Sequence, residues 1–337
     1  MRNGIAIIFC FFIALNLNAK VFRLNNNPAI SSDFKDLSIA MQSLRAGDTL
    51  YAEGSETSYG DLIIDKKIVI IGAGYNLAEN EISNLNTFPA EFSNLQINPN
   101  ADGTRLMSLV FKSKSSSNQD VFIKSNDVTI QRCLFMNNLD INLDSNIMNI
   151  AIIQNYTTES ILAKKSASMN NVLIANNIVL QSIKFSNNSK INIKNNIVRK
   201  IISANNSNIL NNIQLDENIT KTFTCGFSGN NNTYSGNLTR NQLKYIPTGE
   251  HNLLGIEMSS IFETYENDFA KINDARWKLK QNSPAKKYGN DGADSGIFGG
   301  STPYVLSGLP PVPIIKDILI DNSDTDKDYI KLKIIMK

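Results

Sequence analysis

An apolar residue followed three positions later by asparagine recurs through the middle of this 337-residue chain. It stands at residues 152–155 (IIQN), 174–177 (IANN), 193–196 (IKNN), 209–212 (ILNN) and 234–237 (YSGN). Upstream, 106–109 (LMSL) and 130–133 (IQRC) fill the same slot without the amide. A second series interleaves with the first: VFIKSN from Val121, INLDSN from Ile141, ILAKKS from Ile161, IKFSNN from Ile183, IISANN from Ile201 and FTCGFS from Phe223. Two short strands and two turns in roughly twenty residues cannot bury their own apolar face, but stacked coils can. The spacing therefore predicts a parallel β-helix. With 47 Asn and 44 Ile, both poor helix formers, an ordinary helical enzyme is excluded. Asn also tolerates the left-handed backbone of a sharp turn. The residues Asn155, Asn177, Asn196, Asn212 and Asn237 are expected as a structural ladder at one turn, amide bonded to amide along the axis.

These turns, with the segments AGDTLYAEGSETSYGDLIIDKKIVIIGAGY at 46–75 and NSPAKKYGNDGADSGIFGG at 282–300, resemble right-handed parallel β-helix proteins. The chain is similar over roughly 47–313 to the pectate-lyase-like superfamily, including secreted bacterial β-helix repeat proteins. The resemblance implies an all-β fold, a right-handed parallel β-helix. It also implies that any sugar-cleaving site lies on an outward strand face beside the turns. Hydrolases of that type use paired aspartates, and the lyases use acidic calcium ligands with Arg or Lys as base.

Residues 1–19 read as a signal peptide: Arg2, a short apolar run at 5–15, then a polar end closing on Ala19. A secreted, periplasmic or cell-surface location is expected, with no transmembrane segment after its removal. Residues 20–47 are expected as an N-terminal strand and a capping helix over 33–45. Ser32 or Asp33 would be its N-cap, and Leu37, Ala40, Met41 and Leu44 its apolar stripe. The β-helix should occupy 48–308, with a loop over 75–100, irregular last coils from 243 to 271, and a last strand around Trp277 and Leu279. Residues 309–337 read as a Pro-rich connector and a strand pair at 314–320 and 329–336. The mature thiols, Cys133 and Cys225, are expected as buried residues rather than a disulfide framework.

Chemistry is harder to read. Sugar hydrolysis needs two carboxylates within about 5–9.5 Å. No Asp-Asp pair occurs in the repeat. Three residues beyond the starts of the second series lie Lys124, Asp144 and Lys164, expected as one column about 4.8 Å apart. Its structural reading is an opposite-charge ladder. Its catalytic reading is a Lys base beside an ionised Asp. From 160 to 215 no acidic residue occurs, while Lys164, Lys165, Lys184, Lys190, Lys194, Arg199 and Lys200 do. That one-sign stretch suits an anionic polysaccharide or else scatters around the coil as solvated lysines. Few aromatics accompany it, so nucleic acid is not expected as a partner. Acidic turns at 291–294 and 321–328 complete no calcium-loop spacing, so no cofactor is expected, with calcium at these turns the lesser alternative. His251, the lone histidine, reads as a surface residue. Two functions follow: an exported, non-catalytic β-helix scaffold for surface adhesion or glycan binding, or a polysaccharide lyase acting on an acidic glycan.

Overall fold

A computed structural model describes residues 19–83, 85–112, 121–136, 141–143, 146–163, 169–185, 190–216, 226–240, 251–321 and 331–336. Among these residues the chain winds into a parallel β-solenoid of about 7 turns, bounded by sheets of 10, 9 and 8 strands. Each coil visits the three sheets in that order. Thr129–Gln131, Leu134–Met136 and Ile141–Leu143 make one coil. Its successor is in strict register, with Ile130 beside Ile152, Leu134 beside Tyr156 and Ile141 beside Ile161. Inward residues of the three sheets merge into one core, where Tyr59, Phe92, Phe111 and Phe135 stack coil on coil at 5.4, 5.9 and 5.0 Å between ring centres.

The asparagine column lies where the spacing places it, at the turn from the first sheet to the second. The backbone N–H groups of Cys133, Asn155, Asn177, Asn196 and Asn212 each donate to the Oδ1 of the next column member at 2.9 Å. Each amide nitrogen from Asn155 to Asn212 also donates to the next Oδ1. Asn237 continues to Asn252 at 3.0 Å. That last rung has Gly249 where the others have an apolar residue, so the spacing missed it. The left-handed backbone belongs one position earlier than expected. Positive φ occurs at Arg132 (55°), Gln154 (59°), Asn176 (54°), Asn195 (57°) and Asn211 (57°), leaving the ladder amides free to point inward.

Cys133 occupies a ladder slot as a buried free thiol. Burial pushes it up to about 12. Below that value it stays protonated, so at pH 8 an alkylating reagent should leave the Cys133 peptide unlabelled until denaturant is added. Peptide mapping before and after unfolding checks this. Cys225 lies outside the described residues.

Several expectations are corrected. The first sheet starts earlier, because Val21–Leu24 already pairs with Thr49–Ala52. The helix is Leu37–Ser43, capped by Asp36, whose carboxylate accepts from Ile39 N at 3.0 Å. Asp33 instead accepts from Arg23 N at 2.7 Å. The loop after Tyr75 is shorter, since Glu91–Phe92 and Leu95–Ile97 already belong to the second and third sheets. In the third sheet Ile183 pairs with Ile202, not Ile201, and Phe227 follows Ile202 inward. The slip arises because successive coils differ in length by several residues, so sequence spacing does not carry register across them.

The largest difference concerns the described residues after Leu254, which join none of the three sheets. Residues 258–309 run back along the outside of the second sheet as a strap. Its strands are therefore buried on both faces: Val110, Leu134, Tyr156, Ile178, Ile197, Ile213 and Leu238 face outward under Met258, Ile261, Phe262, Trp277, Ala285, Ile297 and Tyr304. Of the strand expected around Trp277 and Leu279, Trp277 instead ends a 3-10 turn, Asp274–Trp277, and Leu279 makes an isolated antiparallel bridge with Phe262. The left-handed turn residues hold the strap coil by coil. Asn211 accepts from Asn290 N at 2.9 Å, and Asn195 donates to Asp294 O at 3.3 Å. Asn176 donates to the carbonyls of Ile297 and Gly299 at 2.8 Å, Gln154 to Thr302 O at 3.3 Å and Arg132 to Leu309 O at 2.7 Å. At Gly296 (φ 88°) the approach is so close that a Cβ would stand 2.6 Å from Ile213 Cδ1. The strap ends in a buried clasp, where Asp274 accepts from Asn80 Nδ2 at 2.9 Å and Ser307 N at 2.6 Å, beside a Tyr75–Tyr304 hydroxyl pair at 2.5 Å. Beyond it, Ile315–Asp321 and Lys331–Met336 form the expected antiparallel strand pair.

Candidate functional site

The second sheet is covered by the strap, so a ligand meets the strand faces of the first and third sheets. On the third sheet, Phe122 lies between buried Val121 and Ile123 and so points outward. Register places Ile63, Gln96, Phe122, Asn142, Leu162 and Lys184 in one outward row, a coil apart each time. Lys124 follows the strand, half-buried, with its Nζ 5.4 Å from the centre of the Phe122 ring. Asn142 is buried, so the accessible part of the row here is the Phe122 ring with Lys124 near it and the half-buried Gln96, a surface on which a polar, anionic ring compound can both stack and pair its charge.

The chain then turns through Asp127 into the first sheet, and there a cleft of about 550 Å³ opens. Lys67, Asp102, Gly103, Arg105, Asp127 and Thr129 line it. Three successive coils supply them, because Val69, Arg105 and Thr129 are register partners. Asp102 accepts from Asn126 N at 2.8 Å, and Asp127 from Asn149 Nδ2 at 2.7 Å, which fixes one oxygen of each carboxylate. Asp127 and Asn149 are both left-handed, with φ of 56° and 58°. The cleft thus holds two anchored carboxylates beside two cationic side chains. Asp102 and Asp127 share no motif and stand at different offsets, three residues before Arg105 and two before Thr129, so only the register of the two coils brings them into one cleft.

The expected column keeps Lys124 within view, whereas Asp144 and Lys164 lie outside the described residues, as does Lys165. The other cations of the acid-free stretch are spread over the solenoid. Lys184 is exposed on the third sheet, and Lys190 and Lys194 belong to the first. Arg199 and Lys200 follow the second. Arg199 is engaged, paired with Asp216 at 2.9 Å and lying 4.2 Å from the Phe269 ring centre. Burial raises the Asp216 carboxyl against the pull of Arg199.

The acidic turn at 291–294 serves the backbone. Asp291 accepts from Ala293 N at 3.1 Å and Asp294 from Lys287 N at 2.9 Å. Asp324, Asp326 and Asp328 lie outside the described residues. His251 is exposed, occupies the left-handed slot before Asn252, and stacks on Tyr288 at 4.1 Å. No protein-family model matches this chain, and no curated protein is similar to it beyond chance.

Proposed function

We propose that the protein is an exported, non-catalytic scaffold of the pectate-lyase-like kind whose exposed sheet faces bind an acidic polysaccharide. The observation that carries this reading is the outward Phe122 ring with the Lys124 ammonium beside it, one turn from a cleft lined by Lys67 and Arg105. A rigid solenoid presents these groups at fixed spacing, so a polymer pays little reorganisation on docking. Phe122→Ala should weaken binding to an acidic polysaccharide on the order of tenfold, since stacking on the exposed part of the ring contributes about 1.5 kcal/mol. Lys124→Ala should weaken it less and flatten its salt dependence. Titration calorimetry at two ionic strengths, against a panel of acidic and neutral glycans, reads both effects. Unchanged affinity in Phe122→Ala would remove the site.

The lyase alternative draws on the same surface, because the cleft sets the carboxylates of Asp102 and Asp127 beside Lys67 and Arg105. On that reading Lys67→Ala or Arg105→Ala in the cleft, or Lys124→Ala beside it, abolishes release of unsaturated uronate, a loss of 10²–10⁴-fold for a missing base, with melting unchanged. The scaffold reading expects no such product from the wild-type chain.

A further inference from the structure

We propose, resting on the acidic-polysaccharide reading above, that the polymer bound also carries free amino groups and that the cleft lined by Lys67, Asp102, Arg105 and Asp127 pairs with both signs of its charge. The turn leading into the first sheet has its own row of amides. Asn171 Nδ2 donates to Asn149 Oδ1 at 2.8 Å, and Asn149 Nδ2 to Asp127 Oδ1 at 2.7 Å. These three residues stand two positions before Leu173, Ala151 and Thr129, which are register partners in the first sheet. One coil earlier the same slot, two before Arg105, is Gly103. With no side chain there the row stops, and it stops on a carboxylate rather than an amide. Lys67 lies across the gap: a Cβ on Gly103 (φ 82°) would stand 3.1 Å from its Cε and 3.5 Å from its Nζ.

Opposite charges share this cleft without meeting. Among the described residues, neither Lys67 nor Arg105 forms an ion pair or hydrogen bond with Asp102 or Asp127. The Oδ1 of each carboxylate is tied to the turn, and its Oδ2 has no partner among the described residues. A purely anionic polymer satisfies the two cations but sets its own charge against two carboxylates, which costs affinity. A polymer with carboxylate and ammonium groups on neighbouring sugars satisfies all four side chains. Arg105 and Asp127 come from successive coils, and successive coils lie about 4.8 Å apart, close to the length of one sugar residue.

Titration calorimetry of the full chain against hyaluronan, N-deacetylated hyaluronan and polygalacturonate tests this. The N-deacetylated polymer should bind about fivefold more tightly than either of the others, the gain expected of an exposed ammonium–carboxylate pair. Non-specific attraction to basic residues gives the opposite order, because deacetylation lowers the polymer's net negative charge. Asp127→Asn and Asp102→Asn should each reduce the preference, and the double variant should abolish it. Both substitutions keep an oxygen to accept from Asn149 Nδ2 or Asn126 N, so the turns stay folded. Equal or weaker binding of the N-deacetylated polymer, with Phe122→Ala still lowering affinity for all three, overturns the amino-group inference and leaves the acidic-polysaccharide reading standing. A preference that survives in the double variant does the same. Binding of none of the three overturns both.

Discussion

Asn177→Leu should lower the stability of the solenoid by about 2–6 kcal/mol. Asn177 is fully buried, and its Oδ1 accepts from both the N–H and the Nδ2 of Asn155 at 2.9 and 3.1 Å. Its own Nδ2 donates to Ile152 O at 2.8 Å and to Asn196 Oδ1 at 3.0 Å. Leucine fills a similar volume but leaves the Asn155 N–H and the Ile152 carbonyl short of a partner. Each orphaned buried group costs about 1–3 kcal/mol. Asn192→Leu is the control, since Asn192 accepts from Asn208 Nδ2 at 2.9 Å on the exposed face. Water replaces that bond, so its effect should stay within about 0.5 kcal/mol. Denaturant titrations of the two variants decide the matter, and equal midpoints would make the ladder ornamental.

Trp277→Ala should cost about 3–5 kcal/mol, the range for truncating a large buried aromatic. Trp277 is 1% exposed and sits edge-on to Phe262 at 5.2 Å and stacked on Phe269 at 6.4 Å. The loss should be local to the strap, because the ladder and the inner core do not touch Trp277. Freed, the strap uncovers the outward row of the second sheet, from Val110 to Leu238. The variant should therefore bind a hydrophobic dye and be cleaved by protease between residues 255 and 309 while keeping its β-sheet circular dichroism. Cleavage scattered over the coils instead would show that strap and solenoid unfold as one unit. Trp277 is the sole tryptophan, so its fluorescence in the wild type reports strap docking directly.

Much of the solenoid was legible because its rules are local and repeated. The apolar residue three before each Asn faces inward in every coil, as Ile152, Ile174, Ile193 and Ile209 do, all fully buried. Where one coil broke the pattern, reading broke with it. Asn252 was passed over for lack of an apolar residue three before it. The third-sheet register slipped at Ile201, where the coil length changes. The candidate surface was half legible. The spacing of the second series picks out Lys124, but nothing in a strand pattern distinguishes the Phe122 ring next to it, and Asp102 and Asp127 meet only through the register of two coils.

Residue spacing alone specifies that this chain stacks parallel coils around an isoleucine core with an amide ladder at one turn. It could do so because each rung answers only to the rung above and below, a distance of 15 to 25 residues. Three-dimensional packing adds that the second sheet is shut beneath a strap, that the described cations of the acid-free stretch lie on three different sides, and that two carboxylates share a cleft. The strap depends on contacts such as Asn176 to Ile297, 121 residues apart and met once in the chain. A contact made once leaves no period to read. Its geometry is fixed by the accumulated lengths of every coil between its partners, which no local pattern records.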